Sequence, residues 1–466
     1  MQGQGAIKLP DVPAGAGPRQ LTIEQAIALA GQNYPEIRQR IEEVEAARAN
    51  VTAQKLKEYV PEGLSTWQQV AATHNKLTQI LFSNAVLPPN PGPGLDESAQ
   101  TWHGNVYAGT GFLFDWTPID FGLHKARIDE AKARFGQTAA TLGVSRLDVA
   151  VNAGLSFMNV VRASEQARAQ QANVRRMEVV VTAVRGLFNA GLRPGADVSL
   201  AEAQLADARN GLIEALQSRD VARVRLAAAL GEPNAEFDLV ETPIEDSTAP
   251  PVVLIGTPAF SAHPMAVAQR SAIGVILSQN RVIEKSNYPV IHWMGGLNWR
   301  GSGLDTRGHP QKKDANGWLP AVNNWNVGLM INWTFTDFIK NHQVLVSQRH
   351  IVEAERHRYQ QIVQNLESEN LQAQAMIRGA VALAENAPIQ LHAAEQAELR
   401  LRTRYETGLS TIAEVAEAER LLTVAQVQAA IARIGVWQAL LAASSAHGDI
   451  APFLRQIAAV REQQGM

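Results

Sequence analysis

The acids best placed to do more than face solvent are Asp197, Glu414 and Glu417. Asp197 and Glu414 each stand near the predicted start of a helix, where the positive helix end favours a carboxylate. Glu417 follows three residues after Glu414, so the two share one helix face. This is electrostatic chemistry, the holding of positive charge, and it makes or breaks no bond. The histidines offer less. His342, His350 and His357 share a helix side, but neighbours about 11 Å apart at about 1.5 Å per residue are too distant for one metal. Asp129-Glu130 and Glu353 with Glu355 read as solvated helix faces. The sequence has no Gly-rich phosphate loop, HExxH pair or nucleophile elbow. No catalytic residue, metal site or cofactor is expected, and the chain is not expected to be an enzyme.

The elements that must position these acids occur twice, at a constant offset of 217 residues. Trp116-Thr117 aligns with Trp333-Thr334, and Asp120-Phe121 with Asp337-Phe338. The same offset carries Phe188 to Tyr405, Gly191-Leu192 to Gly408-Leu409, and Asp197-Val198 to Glu414-Val415, with no insertion or deletion. A repeat of this length marks a duplicated structural unit. It divides the chain into a flexible segment 1–20, a first repeat 21–230, a linker 231–257, a second repeat 258–448 and a tail 449–466.

Bulk properties exclude several classes. A net charge of -3 and a pI near 6.4 give no electrostatic footprint for nucleic acid. With 0 cysteines there are no disulfides and no thiolate metal site. No run of about 18 apolar residues predicts a transmembrane helix. Met1 to Gln20 is rich in Gly and Pro and lacks an apolar core, so no signal peptide is expected within this sequence.

Each repeat opens with a helix. Thr22 is the expected N-cap of one that pauses at Tyr34-Pro35 and resumes to about Tyr59; His263-Pro264 repeats the pause. Alternating stretches follow. Trp102, Val106, Ala108, Thr110, Phe112, Phe114 and Trp116 fall on one side of the first, against His103, Asn105, Tyr107 and Asp115. Ile291, Trp293, Leu297 and Trp299 oppose His292, Asn298 and Arg300. Trp325, Val327, Leu329, Ile331, Trp333 and Phe335 oppose Asn326, Gly328, Asn332 and Thr334. Leu64 to Leu77 is the weakest of the four. Period-two alternation predicts strands with one apolar and one polar face. They form two hairpins, about 62–118 and 289–336, whose connecting loops Ser83–Ala99 and Gly301–Asn324 are polar.

Long helices come next. No proline interrupts the chain between Pro118 and Pro194, room for roughly 100 Å of helix at about 1.5 Å per residue. In the second copy a kink or break is expected at Pro388. Tips at 188–197 and 405–414 lead into shorter returning helices. These carry apolar rows in steps of three and four, Ala201, Leu205, Ala208, Leu212, Ala215 and then Ala418, Leu422, Ala425, Ala429, Ala432, Val436. That is coiled-coil spacing, with alanines that allow close approach.

Of 9 tryptophans only Trp437 lies in a long helix; the others fall in the strand and loop regions. A soluble sandwich with an aromatic core fits that composition. So does a membrane strand, apolar toward lipid and polar toward a wet lumen. Strand number separates the two settings. Four strands cannot close a membrane barrel, and open edges cannot sit in hydrocarbon. In a membrane, several chains would have to contribute to one barrel, and three would give twelve strands.

With this order of helix, hairpin and helix, and with the tips Phe188-Asn189-Ala190-Gly191-Leu192 and Tyr405-Glu406-Thr407-Gly408-Leu409, the chain from Leu21 to about Gly448 resembles the TolC-like outer membrane efflux protein family. The resemblance implies a mixed α and β membrane protein: an internally duplicated, long α-helical coiled-coil barrel, with four β-strands per protomer building a 12-stranded trimeric transmembrane β-barrel. It implies a homotrimer in the cell outer membrane, mostly periplasmic. That trimer would be the passive exit duct of a tripartite efflux pump or type I secretion system.

The partners implied are a periplasmic adaptor (membrane fusion) protein, an inner-membrane pump of RND, ABC or MFS type, and outer membrane lipid. By the same resemblance Glu414 and Glu417 line the narrow periplasmic mouth as stacked rings of acids, whose crowding raises their pKa values. Asp197 and Tyr405 belong to the hydrogen-bonded links that hold the mouth shut. Ser410 departs from the family pattern, standing where a basic residue anchors such a link. Gly191, Leu192, Gly408 and Leu409 are the tip positions offered to the adaptor. Trp102, Trp116, Trp293, Trp299, Trp325 and Trp333 would form the membrane aromatic girdle. The alternative is a soluble periplasmic coiled-coil adaptor or scaffold protein.

Overall fold

A computed structural model describes residues 19–75, 100–240, 259–303 and 317–463. The expected loop Ser83–Ala99, most of the expected flexible segment and part of the linker lie outside the described residues, as do the side chains of 100–105. The chain divides into two compact units: 1–44 with 138–270 and 357–466, and 45–137 with 271–356.

The second unit holds the sheet. β2 (Glu62–Asn75), β3 (Gln100–Ile119), β5 (Val290–Ser302) and β6 (Val322–Asn332) form one four-stranded sheet in that order. Every pairing is antiparallel, so both expected hairpins are present and join through β3 and β5. The register lays Phe112 against Leu297, Trp116 against Trp293, and Leu297 against Trp325. One face therefore collects Phe112, Phe114, Trp116, Trp293, Leu297 and Trp299 with Trp325, Val327, Leu329 and Ile331. This face is bare: Trp325 is 76% and Leu329 74% exposed. On the opposite face Leu113 is buried against Val70, Tyr107 and Met294. Among the described residues, β2 and β6 each lack a strand partner on their outer edge. The unit also contains most of α2 (Pro35–Tyr59) and much of α5 (Pro264–Lys285).

The first unit is helical. Thr22 closes a capping box with Gln25 at the start of α1 (Ile23–Asn33). α3 (Leu123–Asn189), which belongs to this unit from residue 138 onward, and α4 (Gly195–Ala229) form the first long and returning pair. α6 (Asp337–Glu406), which belongs to it from residue 357 onward, and α7 (Ile412–His447) form the second. Three of the predicted alanines on α4, Ala201, Ala208 and Ala215, are buried, and the whole predicted row on α7 is buried. α7 has the length and composition of a membrane-crossing helix, but 61% of its most apolar stretch is buried inside the chain. It is a core helix.

Two features of this unit bear on the sequence reading. Of the kink or break expected at Pro388, the break is absent: α6 runs unbroken from Asp337 to Glu406 through Pro388. Its missing N–H forfeits a bond to the Ala384 carbonyl, a loss that buried Ala384 and Ala387 help offset through packing. Beyond Gly448, where a tail is expected, the chain forms α8 (Ala451–Gln463). Its Phe453 meets Trp437 edge to face at 6.3 Å, and both are buried. The linker contributes β4 (Phe237–Leu239), which pairs in parallel with β1 (Arg19–Leu21).

The duplication governs how the returning helices end. Gly231 and Gly448 stand 217 apart in sequence, with φ of 78° and 80°. Each closes the same pattern: Gly231 N donates to Ala228 O and Glu232 N to Ala227 O, and Gly448 N to Ser445 O and Asp449 N to Ser444 O. Each is seated on the helix pause of its own copy. A Cβ on Gly231 would meet the Asn33 carbonyl at 2.8 Å, and one on Gly448 would meet His263 at 2.7 Å. His263 uses both ring nitrogens there. Nδ1 accepts from Met265 N at 3.2 Å and Nε2 bonds to Ser445 O at 3.2 Å.

Candidate functional site

The tips lie at the ends of α3 and α6 and are built alike. Gly191 and Gly408 have φ of 73° and 81°, the left-handed conformation that ends a helix. Gly191 N donates to Phe188 O and Leu192 N to Leu187 O, and Gly408 N donates to Tyr405 O and Leu409 N to Arg404 O. The motif lifts the next side chain into solvent: Leu192 and Leu409 are each 69% exposed. Open space surrounds both glycines, since a Cβ on either would touch nothing within 4 Å.

Behind the tips the two helix pairs meet on a strip of apolar side chains. Val174, Met177, Val180, Val181 and Val184 of α3 pack with Ala201 and Ala208 of α4, Tyr405 of α6, and Ile412 and Val415 of α7. Tyr405 is buried, and its hydroxyl donates to Asp197 Oδ2 at 3.5 Å, the outer limit of a hydrogen bond. Burial raises the Tyr405 pKa, and the neighbouring Asp197 charge adds to the rise. Tyr405 and Asp197 are thus brought together from the two copies.

Arg193 completes the contact and was not singled out by the sequence reading. Its guanidinium lies 4.7 Å from the Tyr405 ring centre, a cation–π arrangement. Its Nη2 donates to the carbonyls of Tyr405 and Ser410, both at 3.2 Å. Arg193 holds the position equivalent to Ser410 under the 217-residue offset. The first tip thus carries a basic residue at the position where the second has Ser410. The offset itself was the signal that could have found it.

The acids after the second tip are engaged differently from one another. Thr411 caps α7, accepting from Glu414 N at 3.4 Å while Glu414 Oε2 accepts from Thr411 N at 3.0 Å. Glu417 is exposed and grips Arg420 through two bonds of 2.6 and 2.8 Å. Hydrogen bonding from Arg420 lowers the Glu417 pKa. Within one chain, then, Glu417 shifts opposite to the direction expected from crowded acids. Among the described residues no group of acids and histidines could hold a metal ion.

In the sheet unit, Trp116 and Trp293 lie 6.1 Å apart, and Phe112 meets Trp299 edge to face at 6.4 Å. Trp333 Nε1 donates to Asn287 O at 3.1 Å. Trp67, absent from the predicted set, pairs with Thr110 and joins the same face at 54% exposure. Trp102 falls in β3 by its backbone, and its side chain lies outside the described residues.

Comparison with known proteins follows the same outline. The profile of the outer membrane efflux protein family (OEP) matches residues 103–232 and 267–448. Among solved structures, CusC aligns with a TM-score of 0.73 at 15% identity, covering 96% of this chain and 99% of that one. The outer membrane protein VceC of Vibrio cholerae aligns at 0.68 and 17% identity, covering 92% and 96%. The MtrE outer membrane channel of Neisseria gonorrhoeae, solved in an open state, aligns at 0.71 and 16% identity, covering 92% and 89%. At these identities the likeness establishes a shared fold. No curated protein sequence matches the chain.

Proposed function

Because this chain belongs to the outer membrane efflux protein family, we propose that it acts as a homotrimeric exit duct of a tripartite efflux or type I secretion system. The observation that carries this reading is the sheet: four antiparallel strands with one bare apolar face and two open edges. Unpaired strand edges in hydrocarbon cost several kcal/mol per group, so β6 of one subunit must pair with β2 of the next. Three copies then close a twelve-stranded barrel with the tryptophan-rich face toward lipid.

The tryptophans set the level of the membrane. Trp116 and Trp293 are register partners, and Trp333 follows the end of β6. Trp293 and Trp299 are six residues apart, about 20 Å along a strand rising about 3.4 Å per residue. Tilted by about 40°, that spans roughly 15 Å of an apolar band about 25 Å tall. Trp116, Trp293 and Trp333 therefore mark one boundary. Trp67, Trp299 and Trp325 lie within the band, and Trp102 is the candidate for the far boundary.

Gly191, Leu192, Gly408 and Leu409 would meet the periplasmic adaptor, because paired exposed leucines on rigid turns make a repeated apolar contact. Glu414 and Glu417 would ring the mouth, with Arg420 offsetting part of the Glu417 charge. Asp197, Tyr405 and Arg193 would hold it narrow. The duct has no energy source of its own, so drive would come from an inner-membrane pump of RND, ABC or MFS type.

Detergent-extracted outer membranes should yield a heat-modifiable trimer, and that trimer should conduct in planar bilayers. A monomer recovered in the soluble fraction would instead support the scaffold reading.

A further inference from the structure

The two hairpins of the sheet are copies in register as well as in sequence. The offset of 217 residues carries β3 onto β6, and an offset of 228 carries the end of α2 and β2 onto the end of α5 and β5. Under the second offset Lys57 falls on Lys285 and Pro61 on Pro289. The pairing bears both out. β2 lies against β3 with Glu62 opposite Asp115 and Trp67 opposite Thr110. Moved by the two offsets, those pairs become Val290 with Asn332 and Gly295 with Val327, which are pairs that β5 and β6 make. The feet of the hairpins agree as well. His124 Nε2 meets Glu58 Oε2 at 3.2 Å in the first, and their counterparts Asn341 and Ser286 are bonded at 3.2 Å in the second.

A unit that occurs twice and meets its copy once leaves one joint unmade. Inside the chain the joint is β3 against β5. Its counterpart is β6 against β2, and those strands stand at opposite edges of the sheet. With neighbouring strands about 4.8 Å apart, the two edges are roughly 14 Å from each other. Four strands cannot close on themselves as a barrel, so only a second copy of the chain can bring a β2 to this β6.

We propose that the joint between subunits repeats the joint inside the chain residue for residue, with 324–332 of β6 antiparallel to 66–74 of β2 in the partner subunit. Phe114 opposite Gly295 becomes Ile331 opposite Trp67 of the partner subunit. Leu113 opposite Gly296 becomes Met330 opposite Gln68 of the partner subunit, and Thr110 opposite Trp299 becomes Val327 opposite Ala71 of the partner subunit. Two features that played no part in deriving this register agree with it. Both segments lie wholly within strands, since β6 ends at Asn332 and β2 reaches Asn75. The faces match too: Ile331 and Trp67 both belong to the bare apolar face, whereas a slip of one residue would set that face of β6 against the other face of β2. That subunits meet at all rests on the duct reading; the register of their joint can fail by itself.

The test uses the full-length chain, whose 0 cysteines give a silent background. Met330→Cys and Gln68→Cys in one chain face each other only across the joint, at a strand-pair separation that a disulfide can bridge. Mild oxidation of outer membranes should turn the monomer band on denaturing gels into covalent dimer and trimer, and reduction should restore it. Met330→Cys with Thr66→Cys, and Met330→Cys with Val70→Cys, are slipped by two residues either way and should stay monomeric on the same gels. Val327→Cys with Ala71→Cys probes the same register on the opposite face and should link as well, so it decides the matter where the first pair does not assemble. Strongest linking in a slipped pair, or no linking in any pair while heat-modifiable trimers form, overturns the register and leaves the duct reading standing. If wild type itself forms no heat-modifiable trimer, both fall.

Discussion

Arg193 and Ser410 hold equivalent positions in the two copies, and Arg193 Nη2 donates to the Ser410 carbonyl at 3.2 Å. One guanidinium also covers the Tyr405 ring and reaches the Tyr405 carbonyl. This one side chain thus makes several contacts between the tips, beside the Tyr405–Asp197 bond, and three consequences can be separated by substitution. Arg193→Ala removes two charge-assisted hydrogen bonds and a cation–π contact, so the tip contact should lose about 2–4 kcal/mol. Tyr405→Phe removes only a 3.5 Å bond and should cost under about 1 kcal/mol. Asp197→Asn should resemble Tyr405→Phe. Trimer conductance in bilayers should therefore rise much more for Arg193→Ala than for the other two. The opposite order would assign the closure to Tyr405 and Asp197.

Arg420 should control how much of the mouth charge is felt. It binds Glu417 through two hydrogen bonds and lowers the Glu417 pKa. Glu417 consequently stays ionised to lower pH than an ordinary glutamate, and its contribution to cation preference should fade at correspondingly lower pH. Arg420→Ala should increase cation over anion permeability at neutral pH. Neutralising Glu414 and Glu417 together should abolish the preference; unchanged reversal potentials in that double variant would remove the mouth acids from the account.

His263 gives the helical unit an acid-side weakness. Burial lowers its pKa, against weaker opposing pulls from the Ser445 carbonyl, Glu369 and Asp148. The fold thus prefers the neutral ring, whose Nδ1 accepts from Met265 N. A base with a depressed folded pKa stabilises fully above its ordinary value near 6.5 and loses that contribution as pH falls through the folded value. Asp148, raised by burial and by Glu36, works in the other direction. Thermal unfolding followed from pH 7 downward should show a drop in wild type that His263→Asn flattens.

Gly448→Ala and Gly231→Ala should each destabilise the helical unit by about 1–3 kcal/mol from the left-handed backbone alone. Contact with His263 or with the Asn33 carbonyl adds to that cost. Gly191→Ala and Gly408→Ala should carry the backbone cost without the clash, since open space surrounds both. Denaturant unfolding would rank the four, and equal costs would remove the helix-pause contact as a cause.

Leu297, 53% exposed on the bare sheet face, lies four residues beyond Trp293 along β5 and so falls near the middle of the proposed apolar band. Leu297→Arg should cost about 2–4 kcal/mol near the bilayer midplane. The yield of heat-modifiable trimer should fall accordingly. A full yield would place this face away from lipid.

Much of the architecture was readable in the residues because it follows from local rules that repeat. The offset aligned Trp116 with Trp333 and Gly191 with Gly408, period-two alternation announced β3, β5 and β6, and steps of three and four announced α4 and α7. Backbone demands are local as well, which is why Thr22 and the tip glycines behaved as their types require. At Pro388 the helix continues without the break that was one of the two expectations there, because a proline's local cost can be outweighed by the packing of Ala384 and Ala387. The helix formed by Ala451–Gln463 escaped notice because its apolar residues acquire meaning only beneath Trp437. Tertiary structure alone decided the polar pairings: Arg193 with the Ser410 carbonyl and Arg176 with Glu419 lie 217 and 243 residues apart. Electrostatic partnership depends on distances of a few ångströms in space, and sequence separation does not carry that information.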